Sequence, residues 1–136
     1  IYVKRLKHYV NFEMVVIPAL KDQKNASPDE IKEREAVLLL KHLEKSDAIV
    51  LLDEHGVEHT SVGFSKYLQK QMNSGIRTLS FVVGGAFGFS PKIYAKASDK
   101  LSLSQMTFSH QMIRLFFVEQ LYRAFTILNH EPYHNE

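Results

Sequence analysis

The sequence predicts an α/β fold in which helices flank a mainly parallel sheet. Two short apolar runs, 48–53 and 78–83, have the composition of strands that are covered on both faces. Segments with helical periodicity and recognisable helix starts lie before, between and after them. Because strands and helices alternate, we expect ligands to bind at the carboxyl ends of the strands, where Asp53 and Gly84 lie.

Length and composition bound the domain organisation. The chain has 136 residues, of which 45% are hydrophobic and 24% charged, as is typical of globular proteins. A chain of this length buries about two thirds of its unfolded surface, so we expect one domain over residues 1–136. The sequence opens without Met in an apparent helix, and we expect an N-terminal strand to be missing from it.

Charge and cysteine content limit the classes of partner. The chain has no cysteine, which excludes disulfides and thiolate chemistry and fits the cytoplasm. A net charge of +2 gives no general affinity for nucleic acid, although clustered Lys and Arg residues would still attract an anionic partner. No apolar run is long enough to cross a bilayer, so we expect no membrane association.

Local patterns predict each element of the first half in turn. Apolar residues at helical spacing indicate a helix over 2–10, and the alternating, β-branched segment 11–17 predicts a strand. The Ser-Pro-Asp-Glu sequence that opens 27–45 is a capping-box start for a helix. The apolar run 48–53 predicts a strand, and the Asp-Glu-His-Gly sequence at 53–56 predicts a turn after it.

The second half continues the alternation. A helix is predicted over 61–73, with Ser61 as its cap, and the apolar run 78–83 predicts the next strand. A short helix should follow Pro91, and a long one should cover 109–129.

The last predicted helix carries more apolar residues than one buried face requires. Its apolar positions are 112, 113, 115–118, 121, 122, 124, 125, 127 and 128. Such a wide stripe predicts packing on the sheet and also on a second subunit, so we expect a homodimer. Glu119 and Arg123, four residues apart on this helix, predict a surface ion pair.

Two loops and the C-terminal tail carry the candidate functional residues. Glycine at 84 and 85 lets backbone groups approach a ligand, although a plain turn explains the spacing equally well, and neither a dinucleotide fingerprint nor a P-loop is present. The segment 101–110 offers hydroxyl groups to a ligand, with an ordinary loop as the alternative. The tail 129–134 carries two histidines, and either it frays or Tyr133 docks it.

A possible metal motif is rejected at the sequence level. His55-Gly-Val-Glu-His59 matches the H-x-x-E-H pattern of zinc hydrolases, which requires both histidines on one face of a helix. Gly56 and the position just after a strand favour a turn, which separates the two imidazoles. We therefore expect no metal site.

Four segments match one known family in the same order. They are Gly84-Gly-Ala-Phe-Gly-Phe89, Leu101-Ser-Leu-Ser-Gln-Met-Thr-Phe-Ser-His-Gln111, Glu119-Gln-Leu-Tyr-Arg-Ala124 and Pro132-Tyr-His134. In these segments the chain resembles the ribosomal RNA large subunit methyltransferase H family of the SPOUT superfamily. The resemblance implies a SPOUT-type fold with a C-terminal trefoil knot, and a homodimer. It also implies S-adenosylmethionine as cofactor and methylation at N3 of a pseudouridine in the large-subunit (23S) ribosomal RNA.

The resemblance implies which residues form the site. The cofactor contacts would be Leu52, Gly84, Gly85, Leu103, Ser104, Gln105, Met106, Thr107 and Phe108. Because the target nitrogen must lose a proton, we expect His134 to act as base, with Tyr133 holding the ring and Arg123 offsetting negative charge. We expect His110 and Arg114 to hold the RNA backbone or the tail. The alternative function is a non-catalytic RNA-binding module, which the low net charge makes hard to sustain without a cofactor pocket.

Overall fold

Three parallel strands form the sheet of this protein. The structure is a computed structural model, and it describes residues 1–17, 25–85 and 87–135. Within these ranges the strands are β1 (Ala48–Glu58), β2 (Leu79–Val83) and β3 (Asp99–Ser102), in the spatial order β2-β1-β3. The helices are α1 (Tyr2–Leu6), α2 (Pro28–His42), α3 (Ser61–Asn73), α4 (Pro91–Lys96) and α5 (His110–Leu128). The predicted α/β fold with a parallel sheet is confirmed.

Two apolar clusters, one on each face of the sheet, form the core. On one face Val50 of β1 packs with residues of α1, α3 and α5. On the other, Ile49 and Leu51 pack with Ala36 of α2 and Ile93 of α4. Successive residues of a strand point to opposite faces, so β1 contributes to both clusters. The continuous apolar run of this strand is explained by its burial on both sides.

The longer helices begin close to the predicted positions because side chains cap them. Ser27 caps α2 by accepting a hydrogen bond from the backbone N–H of Glu30. Thr60, and not Ser61 as predicted, caps α3, and Ser109 caps α5. Each cap satisfies a backbone N–H group that the first helical turn leaves without a partner.

One strand prediction was wrong, and one strand was not predicted. Residues 11–17 form no regular secondary structure, although their sequence alternates with the period of a strand. Strand propensity measures how well a segment packs beside a neighbouring strand, so the pattern alone does not create one. The sequence analysis also missed β3, because Asp99–Ser102 has only one residue of strongly apolar character.

The predicted turn at 53–56 is instead a bulge inside β1. Leu52 and Val57 both pair with Leu101 of β3, so the residues between them are extra on the β1 side. A Cβ atom on Gly56 would lie 2.6 Å from the backbone carbonyl carbon of Lys100, which only glycine avoids. The strand therefore continues beyond the predicted turn.

Helix α5 has one buried and one exposed apolar face. Phe117, Leu121 and Phe125 are buried in the core, whereas Met112 and Leu115 are 41% and 50% exposed. The predicted packing of one face on the body of the molecule is confirmed. The second subunit on the other face stays a prediction. Among the described helices, none combines the length and the hydropathy needed to span a lipid bilayer.

Candidate functional site

The three segments expected to bind the cofactor meet at one edge of the sheet, where β2 and β3 reach their carboxyl ends beside Leu52 of β1. Leu52 is in register with Val83 of β2 on one side and with Leu101 of β3 on the other. Gly84 directly follows Val83, and Leu103 comes shortly after Leu101. Neighbouring strands lie about 4.8 Å apart. Leu52 therefore lies between Gly84 and Gly85, here called the glycine pair, and the segment 101–110, here called the hydroxyl-rich loop.

Side chains from other segments lie where a Cβ atom on either glycine of the pair would point. A Cβ atom on Gly84 would lie 3.1 Å from the ring of Phe89, which is buried. A Cβ atom on Gly85 would lie 2.5 Å from Oε2 of Glu35, on helix α2. The backbone at this edge is therefore approached closely by side chains from other segments.

Side chains hold the hydroxyl-rich loop in its shape. Ser102 Oγ donates to the carbonyl oxygen of Ser104 at 2.9 Å, and Ser104 Oγ accepts from the backbone N–H of Met106 at 3.0 Å. Thr107 Oγ1 donates to Glu54 Oε2, in the β1 bulge, at 3.0 Å. These hydroxyl groups therefore shape the loop and tie it to the bulge.

A cleft of ≈ 360 Å³ opens beside this loop. Phe108 and Phe116 lie on its lining with their rings nearly perpendicular and their centroids 5.4 Å apart. Glu119 and Gln120 of α5 add polar groups, and Gln120 accepts a hydrogen bond from Ser61 at 2.8 Å. A cleft of this volume and mixed lining suits a small, ring-shaped ligand.

The loop expected to bind the cofactor lies between this cleft and a second groove of ≈ 520 Å³. Leu103 and Ser104 line the cleft, as Phe108 does, whereas Gln105 and Thr107 line the second groove. Neither lining includes the glycine pair. The predicted cofactor residues are thus brought to one edge of the sheet but not into one closed pocket.

The C-terminal tail is docked on α5 and does not fray over its described residues. His130 has a φ of 57°, and the backbone N–H groups of His130 and Glu131 bond back to Ile127 and Thr126. This Schellman arrangement ends the helix and reverses the chain. The hydroxyl of Tyr9 then donates to Glu131 Oε2 at 2.6 Å, which ties the tail to the N-terminal segment.

Glu119 is the point at which the tail meets α5 and the cleft. Its Oε1 atom accepts hydrogen bonds from Arg123 Nη2 at 2.6 Å and from the hydroxyl of Tyr133 at 3.1 Å. Arg123 lies over the Tyr133 ring, 4.8 Å from its centroid, and its Nη1 donates to His134 Nδ1 at 3.1 Å. The three expected catalytic residues therefore lie together: Arg123 and Tyr133 contact Glu119, which lines the cleft, and His134 contacts Arg123.

The predicted surface ion pair was wrong in its setting. The side chains of Glu119 and Arg123 are only 18% and 24% exposed, because the tail covers them. The four-residue spacing correctly indicated the pair but carried no information about what covers it. The sequence pattern therefore did not indicate that Glu119 contacts the C-terminal tail.

Hydrogen bonding gives the two tail side chains different roles. A guanidinium group only donates, so His134 Nδ1 is the acceptor of the hydrogen bond from Arg123. Burial, followed by hydrogen bonds with Tyr2 and Glu119, raises the pKa of Tyr133 to about 12. Tyr133 therefore remains protonated at neutral pH and acts as a hydrogen-bond donor, not as a base.

The two residues expected to bind RNA lie near the start of α5 and do not hold the tail. His110 is exposed and interacts electrostatically with Glu35 of α2. Arg114 is half-buried and makes no hydrogen bond or ion pair within the part of the chain that the structure describes. Its guanidinium remains available to an anionic ligand.

The zinc-hydrolase pattern does not lie on a helix. His55 belongs to the β1 bulge and lies 3.7 Å from a carboxylate oxygen of Glu54, whereas His59 packs against the ring of Tyr67. Across residues 1–17, 25–85 and 87–135, no three His, Asp or Glu side chains are grouped so that they could hold a metal ion.

Comparison with known proteins identifies one family. A family model described as a predicted SPOUT methyltransferase matches residues 1–134. Three similar curated proteins, each named ribosomal RNA large subunit methyltransferase H, come from Flavobacterium johnsoniae, Christiangramia forsetii and Parabacteroides distasonis. They are 57%, 55% and 58% identical to this chain over 135 residues, which cover 99% of the chain and 86% of each relative.

Proposed function

Because this chain belongs to the ribosomal RNA large subunit methyltransferase H family of SPOUT methyltransferases, we propose that it methylates ribosomal RNA. The proposed methyl donor is S-adenosylmethionine, and the proposed target is N3 of a pseudouridine in the large-subunit RNA. The observation that carries this proposal is the register of Leu52 with Val83 and Leu101, which joins the three expected donor-binding segments at one edge.

The residues at this edge fit S-adenosylmethionine. Adenine has apolar faces and a polar rim, so it suits half-buried Leu52 beside a loop that offers main-chain groups. Met106 is 72% exposed and is free to cover the other face of a ring. When bound, the cofactor supplies a methyl group activated by a positively charged sulfur.

The ≈ 360 Å³ cleft is the proposed position of the target base. Enzymes that modify a base move it out of its stack into a pocket, where aromatic side chains and hydrogen bonds hold it. Phe108 and Phe116 offer the aromatic surface, and Gln120 offers an amide near the polar end of the cleft. Leu103 and Ser104 line this cleft and also belong to the donor-binding loop, so the two ligands would meet there.

The Glu119 network, which consists of Glu119, Arg123, Tyr133 and His134, is proposed to remove the proton that N3 must lose. His134 Nδ1 is the expected acceptor, but it is bound to Arg123 in the present arrangement. Arg123 must therefore turn toward the carbonyl oxygens of the target ring before Nδ1 becomes free. This exchange would couple stabilisation of the negative ring to removal of its proton. Tyr133, which stays protonated, would hold the ring by a hydrogen bond.

Two further parts of α5 have proposed roles. Exposed His110, and Arg114, which has no hydrogen bond or ion pair within the described ranges, would contact RNA phosphates near the start of the helix. Met112 and Leu115, which are 41% and 50% exposed, would lie in a homodimer interface. With a ribosomal substrate, the proposed activity would take place in the cytoplasm.

A labelled methyl group tests the proposed function. The purified protein would be incubated with S-adenosylmethionine carrying a deuterated methyl group and with ribosomes from a strain that lacks the corresponding activity. Mass spectrometry of the digested RNA should show one deuterated methyl group, at N3 of one pseudouridine. Calorimetry with the donor alone distinguishes the alternative, since a non-catalytic RNA-binding module would bind RNA without binding S-adenosylmethionine.

A further inference from the structure

Glu35 of helix α2 lies against the glycine pair, although it is distant in the sequence. Its two carboxylate oxygens would be 2.5 and 3.0 Å from a Cβ atom on Gly85, so they occupy the space that the glycine leaves open. Its neighbour Ala36 is fully buried against the sheet, which fixes the position of this part of α2. The carboxylate is therefore held at the edge where the donor is proposed to bind.

The carboxylate of Glu35 lacks the partners that the other acidic groups near this edge have. Asp53 accepts hydrogen bonds from the hydroxyl of Tyr94 and from the backbone N–H of His55. Glu54 accepts one from Thr107. Glu35 makes no hydrogen bond or ion pair with any residue in the described ranges, and its electrostatic interaction there is with the exposed imidazole of His110.

An incompletely solvated carboxylate without a partner favours a cation beside it. Glu35 is half-buried, and burial raises the pKa of its carboxyl group above the usual range, which His110 only partly offsets. A positively charged ligand next to the carboxylate would restore the interactions that burial removes. The adenosine half of the proposed donor is neutral, whereas its methionine half carries a sulfonium, an ammonium and a carboxylate group and is positive overall.

We propose that Glu35 recognises the cationic methionine half of the methyl donor beside Gly85. The inference rests on the proposed function, and it adds a specificity determinant that acts through charge and not through shape. It predicts that Glu35 favours S-adenosylmethionine over its demethylated product, because methyl transfer removes the positive charge from sulfur. Product release would then be assisted by the loss of this attraction.

The test compares three ligands that differ in charge on the wild-type protein and on Glu35→Gln, which keeps the shape of the side chain. Calorimetry would use S-adenosylmethionine, S-adenosylhomocysteine and methylthioadenosine. Of the two cationic groups, S-adenosylhomocysteine keeps only the ammonium group, and methylthioadenosine has neither. Glu35→Gln should weaken the binding of S-adenosylmethionine by about tenfold or more. It should weaken the binding of S-adenosylhomocysteine by less, and that of methylthioadenosine by less than twofold.

Controls separate this effect from unrelated changes. Glu33→Gln removes a charge from the same helix, where Glu33 pairs with Lys92 at 3.2 Å, and should leave all three affinities unchanged. Glu35→Asp, which keeps the charge, should recover part of the preference. Equal weakening of all three ligands by Glu35→Gln, or tighter binding of all three, would overturn the inference while leaving the proposed function in place. If the wild-type protein binds none of the three, the proposed function fails and the inference fails with it.

Discussion

At the scale of single residues, the site depends on side chains that several partners hold in place. Glu119 connects the cleft, Arg123 and Tyr133 through one carboxylate oxygen. Among the described residues, Arg123 is the one that hydrogen-bonds the side chain of His134, so the position of that guanidinium decides whether Nδ1 is free. The identities of Arg123, Tyr133 and His134 could be predicted from the resemblance. Their connection through Glu119 could not, since it depends on how the tail folds back.

Replacement of His134 by Ala should reduce methyl transfer and leave donor binding nearly unchanged. A positioned general base contributes about 10²- to 10⁴-fold to a rate, so kcat should fall within that range. The dissociation constant for S-adenosylmethionine, measured by calorimetry, should change by less than about twofold, because His134 contacts Arg123 and not the donor-binding edge.

The matched control for this variant is His130→Asn. His130 has a positive φ, which Asn tolerates, and its side chain is exposed. Turnover should be unchanged in the control. If His134→Ala turns over at the wild-type rate, His134 is not the base.

Replacement of Glu119 by Gln should loosen the tail. The variant loses the negative charge that attracts Arg123 and to which the Tyr133 hydroxyl donates a hydrogen bond. Because the Glu119–Arg123 pair is partly exposed, we expect the free energy of unfolding to fall by only about 1 kcal/mol. Urea unfolding measures this loss. Glu30→Gln, which breaks the more exposed pair with Arg34, is the control and should change the stability little. Equal stability of the Glu119 variant and the wild type would show that the network does not hold the tail.

At the scale of elements, local signals predicted helices better than strands. The starts of α2 and α5 were predicted because a capping residue acts on N–H groups only a few positions away. Strands depend on partners distant in sequence, and here the prediction failed for 11–17 and for β3. The β1 bulge was misread as a turn, because Gly56 is a turn signal locally but a close-packing residue in the sheet.

Substitution of Gly56 by Ala should destabilise the sheet at the bulge. The added methyl group would lie 2.6 to 2.8 Å from backbone atoms of Lys100 and Leu101, which cannot move as a side chain can. Overpacking of this kind costs about 1 to 3 kcal/mol of unfolding free energy, which urea unfolding would measure.

Gly75→Asn is the matched control for Gly56→Ala. Gly75 has a φ of 83°, and no atom lies within 4 Å of its Cβ position, so an added side chain meets open space. Asn tolerates this backbone conformation, and the loss should be smaller than for Gly56→Ala. A Gly56→Ala variant as stable as the wild type would contradict the close approach of β1 and β3.

At the scale of the whole molecule, segments that are distant in the sequence come together at the candidate site. The fold class could be predicted from the alternation of apolar runs and helices, but not the register that places Leu52 between Val83 and Leu101. Pattern reasoning identified the glycine pair and the hydroxyl-rich loop, and gave no signal for Glu35 because an isolated helical glutamate is common. The single domain, the trefoil knot and the homodimer stay predictions.

Substitution of Leu115 by Glu should produce a monomer if α5 forms the dimer interface. Leu115 is 50% exposed in the protomer, so the change should leave the protomer folded while placing a charge in an apolar interface. Sedimentation velocity should show a dimer for the wild type and a monomer for the variant. Val37→Glu, at a residue of α2 that is 63% exposed, is the control and should remain dimeric. A wild-type protein that sediments as a monomer would exclude the proposed dimer.

Photocrosslinking of the methyl donor tests most directly whether the shared edge of the three strands is the binding site. The protein would be labelled with an S-adenosylmethionine analogue carrying an azide on adenine, in the presence and absence of excess unmodified donor, and the labelled peptides would be sequenced by mass spectrometry. We predict competable labelling within 103–108, with further labelling at Leu52 or at the glycine pair. Competable labelling confined to segments remote from this edge, or no competable labelling, would contradict the account.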